Sequence, residues 1–277
     1  MPLVSTGDIV GPAAELGTGC GAFNAILLEH ISAIVDGAER AGLPVILQLS
    51  QNAVRYHGSL APIGAAAVAA ARGADVPVAV HLDHADEPEL VHQAVELGFG
   101  SVMYDGSTLE YQDNVAATKE LAAHCHVRGV WVEAELGEVG GKDGVHAPGA
   151  RTDPAEAREF VEATGVDALA VAVGSSHAML TRDAELDFEL IGALHEEVPV
   201  PLVLHGSSGV ADEHLATAVR RGLTKINIAT QLNKVFTAGV RDQLADRPDT
   251  VDPRKYLSAG REAVADEVAR LLRLLQP

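Results

Sequence analysis

The sequence predicts an α/β fold, a (β/α)8 barrel built as one domain over residues 1–277 with a C-terminal helical extension. Two observations carry that reading. Short apolar, strand-forming runs alternate with stretches of helical periodicity. Each intervening stretch is also long enough to return the chain to a parallel strand. Eight such units close a barrel, while a doubly wound open sheet is the alternative arrangement of the same alternation.

The candidate strands, in order, are Gly21–Ala25, Pro44–Ser50, Pro77–Asp83, Ser101–Gly106, Gly129–Leu136, Ala168–Gly174, Pro201–Gly206 and Lys225–Thr230. Between them, Leu27–Ala41, Glu87–Leu97, Asn114–Arg128 and Asp212–Arg221 carry apolar residues at helical spacing with breakers at their ends. Arg254–Leu275 reads as the added helix, placed to cap the barrel or meet another subunit. The longest irregular stretch is "GEVGGKDGVHAPGARTD", Gly137–Asp153, and a loop of that length inside a compact domain serves as a lid or binding loop. No linker and no low-complexity block interrupts the chain.

Ala, Val, Leu and Gly dominate a composition that is 47% hydrophobic, which suits helices packed closely on a buried sheet. A net charge of −19 argues against a broad nucleic-acid-binding face. It leaves room for a phosphorylated substrate, since a few cations and backbone N–H groups create a local positive site. Cys20 and Cys125 form no CxxC and no disulfide framework, which fits a reducing cytoplasm. The start "MPLVSTGDIV" lacks the pattern of a signal peptide, and no run is long and apolar enough to span a membrane.

The polar residues fall at strand ends. "VPVAVHLDHADEPE" (Val76–Glu89) ends an apolar run in His-Leu-Asp-His. Side chains at the C-terminal ends of barrel strands, and in the loops after them, line the active site. Asp83 and His84 end the third strand and Asp105 the fourth; Glu133 and Glu135 lie in the fifth; His177 follows the sixth, His205 ends the seventh and Asn227 lies in the eighth. His84, His177 and His205 can thus offer three neutral nitrogens around one position. Three protein ligands and an open position are the pattern of catalytic zinc. A single histidine at a strand end is more often a satisfied rim residue; it is the equivalent placement of the set that points to a metal. His81 shares a face with Asp83 and is expected to donate a supporting hydrogen bond, while His124 and His126 belong to a solvated helix face.

"HGSSG" (His205–Gly209) and "NIAT" (Asn227–Thr230) follow the seventh and eighth strands, where barrels bind phosphate, often at a helix N-terminus. Gly206 and Gly209 permit close backbone approach, and Ser207, Ser208 and Thr230 add hydroxyls. A Gly/Ser turn alone is commonly only a turn; its place after the seventh strand favours the anion site.

The ordered set "AFN…LE", "HLDHA", "SVMYDGS", "VEAELGEVGG", "VGSSHA", "LVLHGSSG", "KINIAT" and "DPRKYL" resembles the class II, metal-dependent ketose-bisphosphate aldolases, from about Ala22 to Leu257. The resemblance is closer to the shorter, bacterial fructose- and tagatose-bisphosphate type. It implies zinc, the barrel, homo-oligomers (a dimer or tetramer), and cleavage into dihydroxyacetone phosphate and an aldehyde, here glyceraldehyde 3-phosphate. Carried over residue by residue, it makes Asp83 the proton-transfer group and His84, His177 and His205 the zinc ligands. It makes Ala178, Gly206, Ser207, Ser208, Asn227, Ile228, Ala229 and Thr230 substrate-binding positions. Asp105 and Glu135 match carboxylates that hold an alternative metal position in some members, and count here as active-site carboxylates. Two departures stand out. Ala178 replaces a usual Gly, so its methyl bears on the phosphate and on a nearby monovalent cation. The loop "GGKDG" (Gly140–Gly144) lacks the usual Glu, leaving Glu138 and Asp143 as substitutes for the second acid/base. Arg254 in "DPRKYL" is the candidate anchor for the distal phosphate, with a helix-start salt bridge as the alternative.

Cleavage of this kind requires stabilisation of charge developing on a carbonyl oxygen, which a metal Lewis acid supplies. No lysine at a strand end suits a Schiff base: Lys225 opens the eighth strand and is expected to face away from the site. Asp83 would take the C4 hydroxyl proton; orienting a neighbouring histidine is its plainer role. The competing readings are a class II aldolase for another phosphorylated keto-sugar, a barrel-type zinc hydrolase, and a non-catalytic sugar-phosphate-binding subunit.

Overall fold

A computed structural model describes residues 2–136, 151–176 and 179–277. After a helix α1 (Gly7–Leu16), the chain runs β1 (Cys20–Asn24), α2 (Leu28–Ala41), β2 (Val45–Ser50), α3 (Gln51–His57), α4 (Leu60–Gly73), β3 (Val78–Ala85), α5 (Pro88–Glu96), β4 (Ser101–Tyr104) and α6 (Tyr111–His126). It continues through β5 (Trp131–Glu135), α7 (Pro154–Thr164), β6 (Ala168–Ala170), α8 (Phe188–Glu197), β7 (Leu202–Leu204), α9 (Asp212–Arg220), β8 (Leu223–Ile228), α10 (Thr230–Asp246) and α11 (Pro253–Leu274). Each strand pairs in parallel with its sequence neighbours, and β8 pairs with β1, so the sheet closes in the order β1 to β8.

The strands are buried on both faces, which is why they read as continuous apolar runs rather than alternating ones. Their outward side chains meet the helices in one continuous core. At the N-terminal end of the barrel, Ile9, Val10 and Ala13 of α1 pack with Cys20, Ala22, Ile46 and Ala79, so α1 plugs that end. Helix α11 lies against α2 and α10. A Cβ on Gly37 would sit 2.6 Å from the Ala265 carbonyl oxygen, so only glycine allows α2 and α11 to approach this closely. Arg40 then clamps the pair through Glu262 and Asp266.

Several boundaries differ from the sequence expectation for identifiable reasons. The sixth strand ends at Ala170 rather than Gly174. Beyond it, the Ala172 N–H donates to Thr152 Oγ1 and its carbonyl accepts from Thr152 N–H, which takes the chain out of the ladder. The seventh ends at Leu204, because Gly206 turns into the left-handed region at φ 68°. The eighth begins at Leu223, two residues before Lys225. Lys225 therefore does not face away at a strand start; it is fully buried in the barrel interior, and its amine reaches Glu133 and Asn227.

Candidate active site and metal centre

The C-terminal ends of the strands open into a cleft lined by Asn24, Ser50, Asn52, Asp83, His84, Ser176, His205, Gly206, Ser208, Asn227, Ala229 and Thr230. Asp83 sits at its floor, 4% exposed. Its Oδ2 accepts from Asn24 Nδ2 at 2.7 Å, and Asn24 is in turn held by Gln48 Nε2 at 3.0 Å. Asn227 Nδ2 approaches the other oxygen at 3.5 Å. Burial alone would raise this carboxyl's pKa, but His84, His205, Lys225 and His81 around it outweigh burial and hold it well below the usual carboxylate range. The group is thus an ionised acceptor, held in place at the floor of the cleft by Asn24.

His84 and His205 meet beside it. His84 Nδ1 lies 2.8 Å from Asp105 Oδ2, and Asp105 is itself fixed by the Ser107 hydroxyl at 2.5 Å. His205 Nε2 lies 2.9 Å from Glu133 Oε1. A carboxylate only accepts, so those two ring nitrogens carry the protons. The remaining nitrogens, His84 Nε2 and His205 Nδ1, face each other at 2.8 Å. In neutral rings both would present lone pairs at a distance where they repel. Burial and the nearby His84 lower the His205 pKa, which favours the neutral ring. Two lone pairs converging on one point, each ring oriented by a carboxylate on its far nitrogen, is the arrangement in which imidazoles bind a metal ion. Asp83, His84 and His205 form one group whose ligand atoms lie within 4.8 Å of one another; His84, Asp105 and Glu135 form a second. The residues present therefore fit a divalent cation.

Below the cleft, His81 Nδ1 bonds to Ser101 Oγ at 2.7 Å, and burial lowers its pKa to about 3, so it supports the floor as a neutral ring. Glu133 is held down to about 2: burial would raise it, but Lys225 and the His205 hydrogen bond prevail. Lys225 is sealed between Glu133 and Asn227 at 2.8 Å from each, and an ammonium so placed is no nucleophile toward the cleft.

Gly206, Ser208, Asn227, Ala229 and Thr230 line the cleft where α10 begins. Ser208 Oγ accepts from the Gln231 N–H at 3.1 Å. Ser207 is turned inward, its hydroxyl donating to the Asn227 carbonyl, and Ile228 is packed in the core. Arg254 stands apart from the cleft. It lies at the start of α11, its side chain 88% exposed and its guanidinium paired with Asp252 at 2.8 Å. His177, Ala178, Glu138 and Asp143 lie outside the described residues. Asn24, Ser50, Asn52 and Ser176 also line the cleft, and sequence reasoning misses them as site residues. Asn24 and Ser50 obey the same strand-end rule, but they escape it when it is applied to ionisable groups.

The chain matches the family model described as "Fructose-bisphosphate aldolase class-II" over residues 4–277. It is 41% identical over 278 residues to a "Probable fructose-bisphosphate aldolase" of Bacillus subtilis, covering 99% of this chain and 97% of that one. It is 36% identical over 292 residues to a "Fructose-bisphosphate aldolase" of Giardia intestinalis, covering 96% and 90%. Among solved structures, the YdjI aldolase of Escherichia coli superposes with a TM-score of 0.87 at 33% identity, covering 99% of this chain and 97% of that chain.

Proposed function

Because the chain belongs to the class II fructose-bisphosphate aldolase family, and is therefore a lyase, we propose that it reversibly cleaves fructose 1,6-bisphosphate to dihydroxyacetone phosphate and glyceraldehyde 3-phosphate, using zinc. The observation that carries the metal part is the 2.8 Å approach of His84 Nε2 to His205 Nδ1, each ring tied by a carboxylate on its other nitrogen. The sugar assignment is supported by the names of the Bacillus and Giardia relatives.

His84, His205 and, from its motif, His177 would hold the ion. A cation bound there supplies a Lewis acid for the substrate's carbonyl oxygen. Asp83 accepts the C4 hydroxyl proton as the C3–C4 bond breaks, and returns it to the aldehyde oxygen in condensation. Asn24 and Asn227 hold the carboxylate in place for that transfer. Gly206, Ser208, Ala229 and Thr230 bind the phosphate of the dihydroxyacetone half, beside the N-terminus of α10. Ser207 and Ile228 serve through their backbone, and Ala178 borders the same phosphate and its monovalent cation. Asp105 orients the His84 ring, and Asp105 and Glu135 would hold an alternative metal position beside it. Glu138 or Asp143 performs the second proton transfer. Arg254 contacts the distal phosphate in its own or a neighbouring subunit's cleft, within a homodimer or homotetramer. The enzyme works in the cytoplasm, where its two buried, free thiols suit a reducing milieu. Among the described residues, no helix is long and apolar enough to cross a membrane.

A coupled assay for dihydroxyacetone phosphate, run on fructose, tagatose and sorbose 1,6-bisphosphates with and without chelator, tests the reading. Chelator-sensitive cleavage, fastest for the fructose sugar, is expected. Preference for another epimer would reassign the substrate, and undiminished cleavage by metal-free protein would remove the metal. A zinc hydrolase would release phosphate or another hydrolytic product instead, and it has no use for the anion wall formed by Gly206, Ser208 and Thr230.

A further inference from the structure

We propose that Lys225 is a positioning residue that sets the hydrogen-bond polarity of the whole site: it acts through Glu133 to fix the tautomer of His205, and through Asn227 to turn an amide N–H toward Asp83. The inference rests on the reading of His205 as a metal ligand only for its functional consequence; its structural content concerns protons and amide orientation in the metal-free protein.

Donors and acceptors around Lys225 fix the arrangement. Lys225 is 0% exposed, and an ammonium has three donors and no acceptor. Each group touching it must therefore present an oxygen. Glu133, also 0% exposed, does so with Oε2 at 2.8 Å, and Asn227 does so with Oδ1 at 2.8 Å. The second contact decides the Asn227 amide. With its oxygen committed to Lys225, its NH2 points away, lying beside the His205 ring at 3.1 Å from Nε2 and 3.4 Å from Nδ1, and reaching Asp83 Oδ1 at 3.5 Å. The first contact decides His205. A carboxylate paired with a buried ammonium stays ionised, and its other oxygen, Oε1, can only accept. His205 Nε2 lies 2.9 Å from that oxygen and 3.1 Å from the Asn227 NH2; the nearer partner is anionic and can only accept, so Nε2 carries the ring proton. Nδ1 is left as the lone pair that faces His84 Nε2 at 2.8 Å. One amine, which does not itself line the cleft, thus dictates which nitrogen of His205 can take a metal and which end of Asn227 meets the proton carrier.

The same logic predicts an unusual pattern of loss and rescue. In Glu133→Gln, which is nearly isosteric, the amide oxygen must still accept from Lys225. The amide NH2 is then driven toward His205, where it can only donate. Nε2 becomes the acceptor, the ring proton moves to Nδ1, and the lone pair needed for the metal is gone. Adding Lys225→Met removes the ammonium. The substituted amide is then free to rotate, present its oxygen to His205, and restore the Nε2–H tautomer. A merely structural ion pair would behave in the opposite way, the double variant being no better than the single.

The experiment uses the full-length protein with 15N-labelled histidine, stripped of metal, at neutral pH. Long-range 1H–15N NMR reads the His205 tautomer, and competition with a chromogenic chelator reads Zn²⁺ affinity. Wild type is expected to show Nε2–H. Glu133→Gln is expected to show Nδ1–H and to bind Zn²⁺ roughly 10- to 100-fold more weakly, the usual consequence of losing a partner behind a ligating histidine. The double variant is expected to return to Nε2–H and to recover most of the affinity. An Nδ1–H wild type overturns the inference and requires no variant to fold. A Glu133→Gln protein that keeps the wild-type tautomer overturns it as well, and so does a double variant that stays as weak as the single. If wild type binds no Zn²⁺ at all, the metal reading fails, and the tautomer measurements still decide the role of Lys225.

Discussion

Gly206→Ala should cripple the enzyme by about two orders of magnitude without touching any ionisable group. Gly206 has φ 68° and ψ 16°, a left-handed conformation that an alanine holds at a cost of about 1–2 kcal/mol. The larger effect is steric. An added Cβ would lie 2.5 Å from the Ser176 carbonyl oxygen, 2.6 Å from its carbonyl carbon and 2.9 Å from its nitrogen. Non-bonded carbon contacts settle near ~3.5–4.0 Å, so the two loops must separate by about 1 Å. Backbone, not a flexible side-chain tip, has to move. Ser176 and Gly206 both line the cleft, and the neighbouring Ser175 hydroxyl is bonded to the His205 carbonyl at 2.6 Å, so the displacement is passed to His205. A misplacement of about 1 Å at a reacting centre costs on the order of 100-fold. The readout is kcat/KM from coupled detection of dihydroxyacetone phosphate, beside thermal unfolding. Conformational strain of about 1–2 kcal/mol should lower Tm by several degrees, at roughly 2–4 °C per kcal/mol for a chain near this size. Activity within threefold of wild type would refute the reasoning, since it would mean that the Ser176 and Gly206 loops can part without disturbing the site.

Three further outcomes are expected. Asp83→Asn should retain Zn²⁺, measured by metal analysis, yet lose about two to four orders of magnitude in turnover, because its amide keeps the bond from Asn24 but cannot accept a proton; near-normal turnover would exclude Asp83 as the proton carrier. Chelation should abolish cleavage and Zn²⁺ restore it, and His84→Ala should lose most bound metal because it removes one of the two facing nitrogens; retention of stoichiometric zinc by His84→Ala would move the ligand set elsewhere. Arg254→Ala should raise KM for the bisphosphate while leaving dihydroxyacetone phosphate binding unchanged, as followed by steady-state kinetics and calorimetry; equal effects on both, or none on either, would reduce Arg254 to the partner of Asp252.

The barrel is legible in the sequence because its strands are buried on both faces, which makes them apolar runs bounded by turn residues, and because the helices between them carry a different period. The site is legible where it is ionisable. A histidine or aspartate interrupting an apolar run stands out, and barrel geometry says which end of the strand is functional. Uncharged lining residues do not stand out. Asn24, Ser50, Asn52 and Ser176 look like ordinary turn or strand-end residues, and only the closed sheet brings them to one cleft. Lys225 misleads for a related reason. A lysine at the edge of an apolar run looks like a strand start, whereas the run already includes Leu223 and Thr224. Its burial depends on Glu133, on a strand far earlier in the chain, and no local pattern signals that pairing.

Asp83 and His84 pose a geometric problem of their own. Consecutive residues on a regular strand point to opposite faces, so one strand should not deliver both a carboxylate and an imidazole to the same cleft. The backbone resolves this locally. Against β2 the register of β3 runs evenly through Ser50 and Asp83, which keeps Asp83 on the inner face. Against β4 it slips by one residue between Leu82 and Ala85, and His84 takes φ 50°, the only positive φ among the described non-glycine residues. That bulge swings the His84 ring back toward the cleft, where Asp105 catches its Nδ1. A non-glycine residue in the left-handed region costs about 1–3 kcal/mol, and it persists only where its surroundings hold it. Glycine would relieve the strain but carries no imidazole. The strain at His84 therefore follows from the placement itself: the Asp83 carboxylate and a nitrogen facing His205 stand side by side, and adjacency in the chain fixes their separation more tightly than two strands packed together could.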